Sequence, residues 1–199
     1  VNFTAPGALE ETIQSFLSDA EKRYGIKTEK KQFGLRFNDI LEATHEKTGK
    51  RAVVLIDEYD KPLLDVMNTG KVAQVTEGNV VTIEDNNREI LKGFYSVFKL
   101  ADKHLRFVLL TGVTKFSQVS VFSGFNQPKD ISYDPRFDAL CGISKDELIS
   151  VFKEQIRELG EMDGMTEEET VEKLKRKYDG YHFSKQMKDI FNPFSILNC

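Results

Sequence analysis

Two cysteines, three histidines and no apolar run longer than a short strand set the first limits on this 199-residue chain. Cys141 and Cys199 lack metal-ligand spacing and are too few for a disulfide scaffold. His45, His104 and His182 share no ligand spacing either, so a zinc site is not expected. Nothing approaches the ~20 apolar residues that span a bilayer, and no signal-peptide pattern opens the chain. The 28 basic and 32 acidic side chains leave a net charge of -4, which offers no broad footprint for nucleic acid. These absences point to the cytoplasm, with no membrane and no direct nucleic-acid contact. The hydrophobic content of 40% is enough for one good core and a small appendage.

What the chain does contain is an alternation of helical and strand patterns. Val1 to Thr4 reads as a short strand. A helix follows from about Ala8 to Tyr24, with Leu9, Ile13, Phe16 and Leu17 on one face. A second helix fits Leu35 to Lys47, with Phe37, Ile40 and Leu41 inward, and stops at Gly49. Arg51 to Ile56 is apolar on consecutive positions from Ala52 onward, the mark of a strand covered on both faces. An irregular excursion or small hairpin over "NTGKVAQVTEGNVVTIEDN" leads to a helix from Asn87 to Asp102. That helix carries Ile90, Leu91, Phe94, Val97 and Phe98 on one stripe. "LRFVLLTGV" is then a second continuous apolar strand, ending in Thr111-Gly112. Strand, helix and buried strand in this order predict an α/β fold with a parallel sheet.

The character changes after about Phe137. "SKDELISVFKEQIREL" opens with a capping box, Ser144 with Glu147, and "TEEETVEKLKRKY" opens with another, Thr166 with Glu169. The predicted organisation is an α/β core over residues 1–136 and a small helical subdomain over 137–199. In "YDGYHFS" a glycine helix stop followed by aromatic packing is expected around Gly180. Both ends read as cuts. The chain opens at Val1 inside a strand pattern, and "NPFSILNC" starts a helix, with Asn192 as N-cap and Pro193 at the first helical position, that stops about a turn and a half later. The chain is therefore expected to be part of a longer protein.

The chemistry concentrates in "AVVLIDEYDKPLLD". A buried strand driven into Asp57 and Glu58 has the hhhhDE form of a Walker B segment. At the carboxyl end of a parallel strand these side chains face the crevice where α/β proteins take ligands. Asp57 could hold Mg²⁺ through water, because that ion keeps several waters and few carboxylates. Glu58 beside it could orient and deprotonate an attacking water. The competing reading is an acidic loop at the start of a helix near Lys61-Pro62, where carboxylates favour the helix dipole.

The wider pattern resembles the bacterial AAA-ATPase-like family. The matching words are "FGLRF", "VVLIDEYDKPLLD", "LKGFYSVFKLADKHLRFVLLTGVTKFSQVSVFSGFN", "CGISKDEL", "YDGYHFS" and "NPFSILN", running from about Phe33 to Asn198. The resemblance implies a P-loop fold with the Asp57 strand beside the Leu105–Thr111 strand. It implies ATP and Mg²⁺ as ligands, with Asp57 for the metal, Glu58 as base and Thr111 as phosphate sensor. Lys115 and Arg136 are further candidates for reading phosphate. It also implies a downstream domain, nuclease-like in many members, as an intramolecular partner.

One expected element is missing. None of the 13 glycines opens the phosphate-loop pattern G-x-x-x-x-G-K-[ST]; Gly49-Lys50 runs into Arg51 and Gly70-Lys71 into Val72. The resemblance thus implies a chain that begins after the Walker A loop, with weak or no ATP binding of its own. It further implies an exposed sheet edge and self-association through it. A nuclease site in the chain itself is not expected: Glu58-Tyr59-Asp60-Lys61 has the wrong spacing, and Glu29-Lys30-Lys31 has no apolar strand before it. The alternative function is a non-hydrolysing interaction or regulatory module with an ATPase-like shape.

Overall fold

The computed structural model describes residues 2–76, 79–114, 128–178, 182 and 189–198. The chain divides into two compact units, Val1–Pro128 and Lys129–Cys199.

In the first unit, α1 (Ala8–Tyr24) buries Leu9, Ile13 and Leu17. Phe16 lies at the margin of that face, largely exposed, with its ring edge on Phe37 at 5.7 Å. The helix ends at Gly25, whose φ of 66° lets its N–H and that of Ile26 return to carbonyls of the last turn. Helix α2 (Phe33–Thr48) buries Phe37, Ile40 and Leu41 as its spacing predicts. It also buries Arg36, whose guanidinium donates twice to Glu21 of α1 at 2.8 Å and is thereby neutralised.

Strand β1 (Ala52–Ile56) is followed by the single turn α3 (Lys61–Leu64). The excursion forms an antiparallel hairpin, β2 (Val72–Thr76) with β3 (Asn79–Thr82). Helix α4 (Ile83–Tyr95) begins four residues before the Asn87 expected from its apolar stripe. The reason is Thr82, whose hydroxyl accepts the Asp85 N–H and caps the helix there. Short α5 (Val97–Leu100) and a 3-10 turn at Asp102–His104 lead into β4 (Leu105–Leu110). Phe37 is the centre of the core, stacked on Phe94 at 5.4 Å and edge-on to Phe98 at 6.3 Å.

Strands β1 and β4 pair in parallel, with Val53 opposite Phe107 and Ile56 opposite Leu110. One face of this pair, carrying Ala52, Val54, Ile56, Val108 and Leu110, packs on the helical core. The continuous apolar runs led us to expect cover on both faces, but the structure differs. Val53, Leu55 and Phe107 are 54%, 68% and 52% exposed. Strand alternation turns them to the other side, where the described residues supply no covering helix. The expected strand at Val1–Thr4 is also corrected for its described part: residues 2–4 form none. There Phe3 is buried in the core and its N–H donates to Asp65 at 3.2 Å, which ties the backbone to a side chain instead of a ladder.

The second unit is mainly helical: α6 (Lys145–Val151), α7 (Lys153–Asp163), α8 (Glu167–Tyr178) and α9 (Pro193–Leu197). A two-residue antiparallel bridge joins β5 (Ile143–Ser144) to β6 (Ile190–Phe191). Both predicted capping boxes form, at Ser144 with Glu147 and at Thr166 with Glu169. Asn192 caps α9 by accepting the Ser195 N–H. Leu148, Ile156, Val171, Leu174, Phe191 and Ile196 make the core of this unit. Of "YDGYHFS", residues 179–181 and 183–184 lie outside the described set.

Candidate functional site

The site is built where β1 and β4 end together. Their ladder runs one step beyond the strands: Thr111 N–H donates to the Ile56 carbonyl and Tyr59 N–H to the Thr111 carbonyl, each at 2.9 Å. That register sets the first residues after each strand side by side. The Thr111 hydroxyl donates in a short hydrogen bond to Oδ1 of Asp57. The same oxygen accepts the Glu58 N–H at 3.0 Å. Asp57 and Glu58 are both exposed. Glu58 has φ of 52°, a left-handed conformation that a non-glycine residue holds only under local constraint.

The chain then turns inward. Tyr59 and Asp60 are buried. Asp60 stands at the N-cap position of α3, yet its side chain makes no capping bond. It reaches instead to the segment after β4, where Oδ2 accepts the Val113 N–H at 3.0 Å and the Thr114 N–H and hydroxyl at 2.6 Å each. The Tyr59 hydroxyl donates to the Thr114 carbonyl in a short bond. Tyr95 of α4 approaches from below, its hydroxyl 3.4 Å from the Tyr59 carbonyl. Burial, followed by the charge of Asp60, pushes the Tyr95 phenol well above its ordinary range, so it stays protonated as a donor.

Gly112 belongs to this joint. A Cβ there would come within 2.6 Å of the Tyr59 ring and 2.7 Å of Asp60 Oδ1. Only glycine lets the two loops approach this closely. The sequence pattern pointed to Asp57, Glu58 and Thr111 but assigned no role to Tyr59, Asp60, Gly112 or Thr114. The available signal was the polar, small-residue run "TGVT" directly after a buried strand.

The acidic-loop alternative is narrowed by the same geometry. Helix α3 exists, but neither Asp57 nor Glu58 stands at its N-cap. Lys61, in its first turn, pairs with Asp65 at 2.8 Å. That ammonium, in a hydrogen bond only partly opposed by desolvation, holds the Asp65 carboxyl below its ordinary value.

Lys115 and Arg136 are the other two candidates. Lys115 lies outside the described residues. Arg136 belongs to the second unit and its fork is engaged by Asp134, which accepts from Nε at 2.9 Å and from the Arg136 N–H at 3.1 Å. This partner holds the Asp134 carboxyl far below the usual carboxylate range. Elsewhere the fold joins two histidines distant in sequence: His45 and His104 meet Nδ1 to Nδ1 at 3.0 Å.

As a donor set, the Asp57 carboxylate, the Glu58 carboxylate and the Thr111 hydroxyl are hard oxygen ligands of the kind Mg²⁺ prefers. Asp57 Oδ1 is taken by two donors, while Oδ2 accepts no hydrogen bond among the described residues. A single open carboxylate oxygen at an exposed strand end fits an ion that keeps most of its waters. Among the described residues no cluster of three or more His, Cys, Asp or Glu could hold a metal on protein ligands alone.

A two-stranded parallel sheet with flanking helices and an Asp-Glu-Thr cluster at its carboxyl edge defines an α/β protein with a strand-end site. The chain belongs to the AAA-ATPase-like family: the model of that family, described as "Predicted AAA-ATPase", matches residues 1–122. The chain is also 35% identical over 189 residues to an "Uncharacterized protein in vnfD 5'region" of Azotobacter chroococcum mcd 1. That match takes in 95% of the chain but 32% of the relative, so the chain spans about a third of the relative's length. No solved structure matches. Among the described residues no helix is long and apolar enough to cross a membrane.

Proposed function

We propose that the chain supplies the Walker B and sensor strands of a P-loop-type ATPase that hydrolyses Mg-ATP to drive a conformational change. The observation that carries this reading is the Thr111 hydroxyl on Asp57 across neighbouring parallel strands. Family membership supports it independently. Bound Mg²⁺ would supply charge neutralisation for the phosphates. Asp57 would hold the metal's water shell through Oδ2, with Oδ1 kept in orientation by Thr111 and the Glu58 N–H. Glu58, exposed at the strand end, would orient and deprotonate the attacking water. Thr111 would turn its hydroxyl between the carboxylate and the phosphate. Lys115 remains a candidate for phosphate contact in this reading. Arg136 would first have to exchange Asp134 for phosphate.

The change would pass through the helical unit to further parts of the same protein, a nuclease-like domain being the class that resemblance suggests. Among the described residues the outer edges of β1 and β4 carry no further strand, which favours extension of the sheet by further chain or by a second copy. A second reading, a non-hydrolysing interaction module, draws on the exposed Val53, Leu55 and Phe107.

Calorimetric titration of Mg-ATP into the chain, and into a version extended N-terminally to include a phosphate loop, separates these readings. Binding by the extended version, lost in its Asp57→Asn variant, supports the ATPase. No binding by either leaves the interaction module.

A further inference from the structure

We propose that Asp60 is a positioning residue: its buried carboxylate locks the Thr111–Thr114 segment to the loop after β1 and so seats the Thr111 hydroxyl on Asp57. This rests on reading Asp57 and Thr111 as the ATPase site.

The geometry is specific. Asp60 is 1% exposed. Removing a carboxylate from water is costly, and the cost is offset only by well-directed donors. Here one oxygen, Oδ2, receives three donors of the segment: the Val113 N–H, the Thr114 N–H and the Thr114 hydroxyl. The other oxygen, Oδ1, is buried without a hydrogen-bond partner among the described residues and lies 2.7 Å from where a Cβ on residue 112 would stand. An apolar side chain would fill the same volume without desolvation cost. What the carboxylate adds is direction, because it fixes two consecutive backbone amides of a segment that has left the sheet.

Two further bonds close the joint from the partner side. Tyr59 N–H holds the Thr111 carbonyl, and the Tyr59 hydroxyl holds the Thr114 carbonyl. The segment is therefore gripped at both ends by adjacent residues, Tyr59 and Asp60, directly after Asp57 and Glu58. Moving it would move Thr111. Conversely, a contact that pulled on Thr111 would be felt at Glu58, whose N–H shares Asp57 Oδ1 with the Thr111 hydroxyl. A helix-capping role for Asp60 would need bonds to α3, which its side chain does not make.

The test compares the wild-type chain with Asp60→Asn, Thr114→Val and Thr114→Ser. Asp60→Asn keeps the shape but loses the charge, Thr114→Val removes one donor, and Thr114→Ser keeps that donor. The first readout needs no nucleotide: NMR signals of the Thr111 methyl and the Asp57 carboxyl carbon, with amide exchange at Val113 and Thr114. Expected are displaced Thr111 and Asp57 signals and exchange faster by about tenfold or more in Asp60→Asn and Thr114→Val. Thr114→Ser should match the wild type, and β1–β4 amides should stay protected in all four. A purely structural role would lower the unfolding midpoint yet leave the Thr111 and Asp57 signals in place, and that result overturns the proposal. Should Asp60→Asn fail to fold, Thr114→Val decides on the same criterion.

The second readout is steady-state ATP hydrolysis in the N-terminally extended version. Misplaced Thr111 should lower kcat by about tenfold to a hundredfold with little change in KM. If the wild type turns over no ATP, the ATPase reading fails while the Thr111 and Asp57 signals still judge the positioning. Unchanged kcat in a folded Asp60→Asn variant overturns the proposal directly.

Discussion

Thr111 and Asp57 are 54 positions apart in sequence, and the hydroxyl of the first donates to the carboxylate of the second. Neither residue reaches the other by its own side-chain length. The parallel register of β1 and β4 brings them together, with Ile56 opposite Leu110 as the last strand pair before them. The contact is therefore a consequence of sheet pairing, and anything that shifts the register by one residue destroys it.

Glu58 is the residue whose replacement separates binding from chemistry. In the N-terminally extended version, Glu58→Gln keeps size and backbone conformation but removes the base. Turnover should fall by about a hundredfold or more while Mg-ATP affinity stays within a few-fold. Phosphate release and calorimetry on the same preparation measure both. An equal loss of affinity and turnover would place Glu58 among the ligands instead.

Gly112→Ala tests the closeness of the two loops. The new Cβ would lie 2.6 Å from the Tyr59 ring and 2.7 Å from Asp60, both buried and fixed by their own bonds. Overpacking of this kind should cost about 1–3 kcal/mol, read as a lower urea midpoint. A neutral result would mean that the joint is looser than its geometry.

Arg36 and Glu21 form an ion pair between α2 and α1 in which Arg36 is buried and Glu21 half-buried. Arg36→Ala should destabilise the first unit by about 1–3 kcal/mol, because it removes the charged donor from a half-buried carboxylate. Replacing both at once, Arg36→Met with Glu21→Leu, should recover most of that loss. Urea unfolding of the single and double variants gives the comparison.

Acid sensitivity should include Asp65. Lys61 lowers its carboxyl in the folded state below the ordinary 3.8, and the Phe3 N–H acts in the same direction. A lowered folded value means that the stabilisation is complete above the unfolded value and is lost as pH falls through the folded one. Asp65→Asn should flatten the fall in stability as pH drops below the ordinary 3.8 and weaken the hold on the N-terminal segment at Phe3. Unfolding curves at several pH values decide it; an unchanged slope removes Asp65 from the explanation.

The outer face and edges of the β1–β4 pair should make the chain associate with itself. Light scattering across a concentration series should show species larger than a monomer. Leu55→Asp, a charge placed on the exposed apolar face, should reduce them. A monomer at every concentration would argue that this face needs no second copy.

Much of this was legible in the sequence because it is local. The limits of α1 follow from Leu9, Ile13 and Leu17 at helical spacing and from Gly25 as the stop. The capping boxes at Ser144 and Thr166 and the Asn192–Pro193 start are written in adjacent residues, and each is satisfied within one turn. The apolar runs of β1 and β4 and the carboxylates following β1 were equally plain.

What the residue order did not show is what depends on contact across distance. Whether the far face of β1 is covered depends on which helices arrive there, and Val53, Leu55 and Phe107 stay exposed although their runs look buried. The role of Asp60 depends on where the chain after β4 turns back, since its three donors come from residues more than fifty positions away. Residue order alone was enough for α1, α2, the caps at Ser144, Thr166 and Asn192 and the two strands, because hydrogen bonds and spacing within a turn suffice for them. That Asp57 meets Thr111 and Asp60 grips Thr114 came from packing, because a carboxylate takes its partners from whatever the packed strands bring within reach.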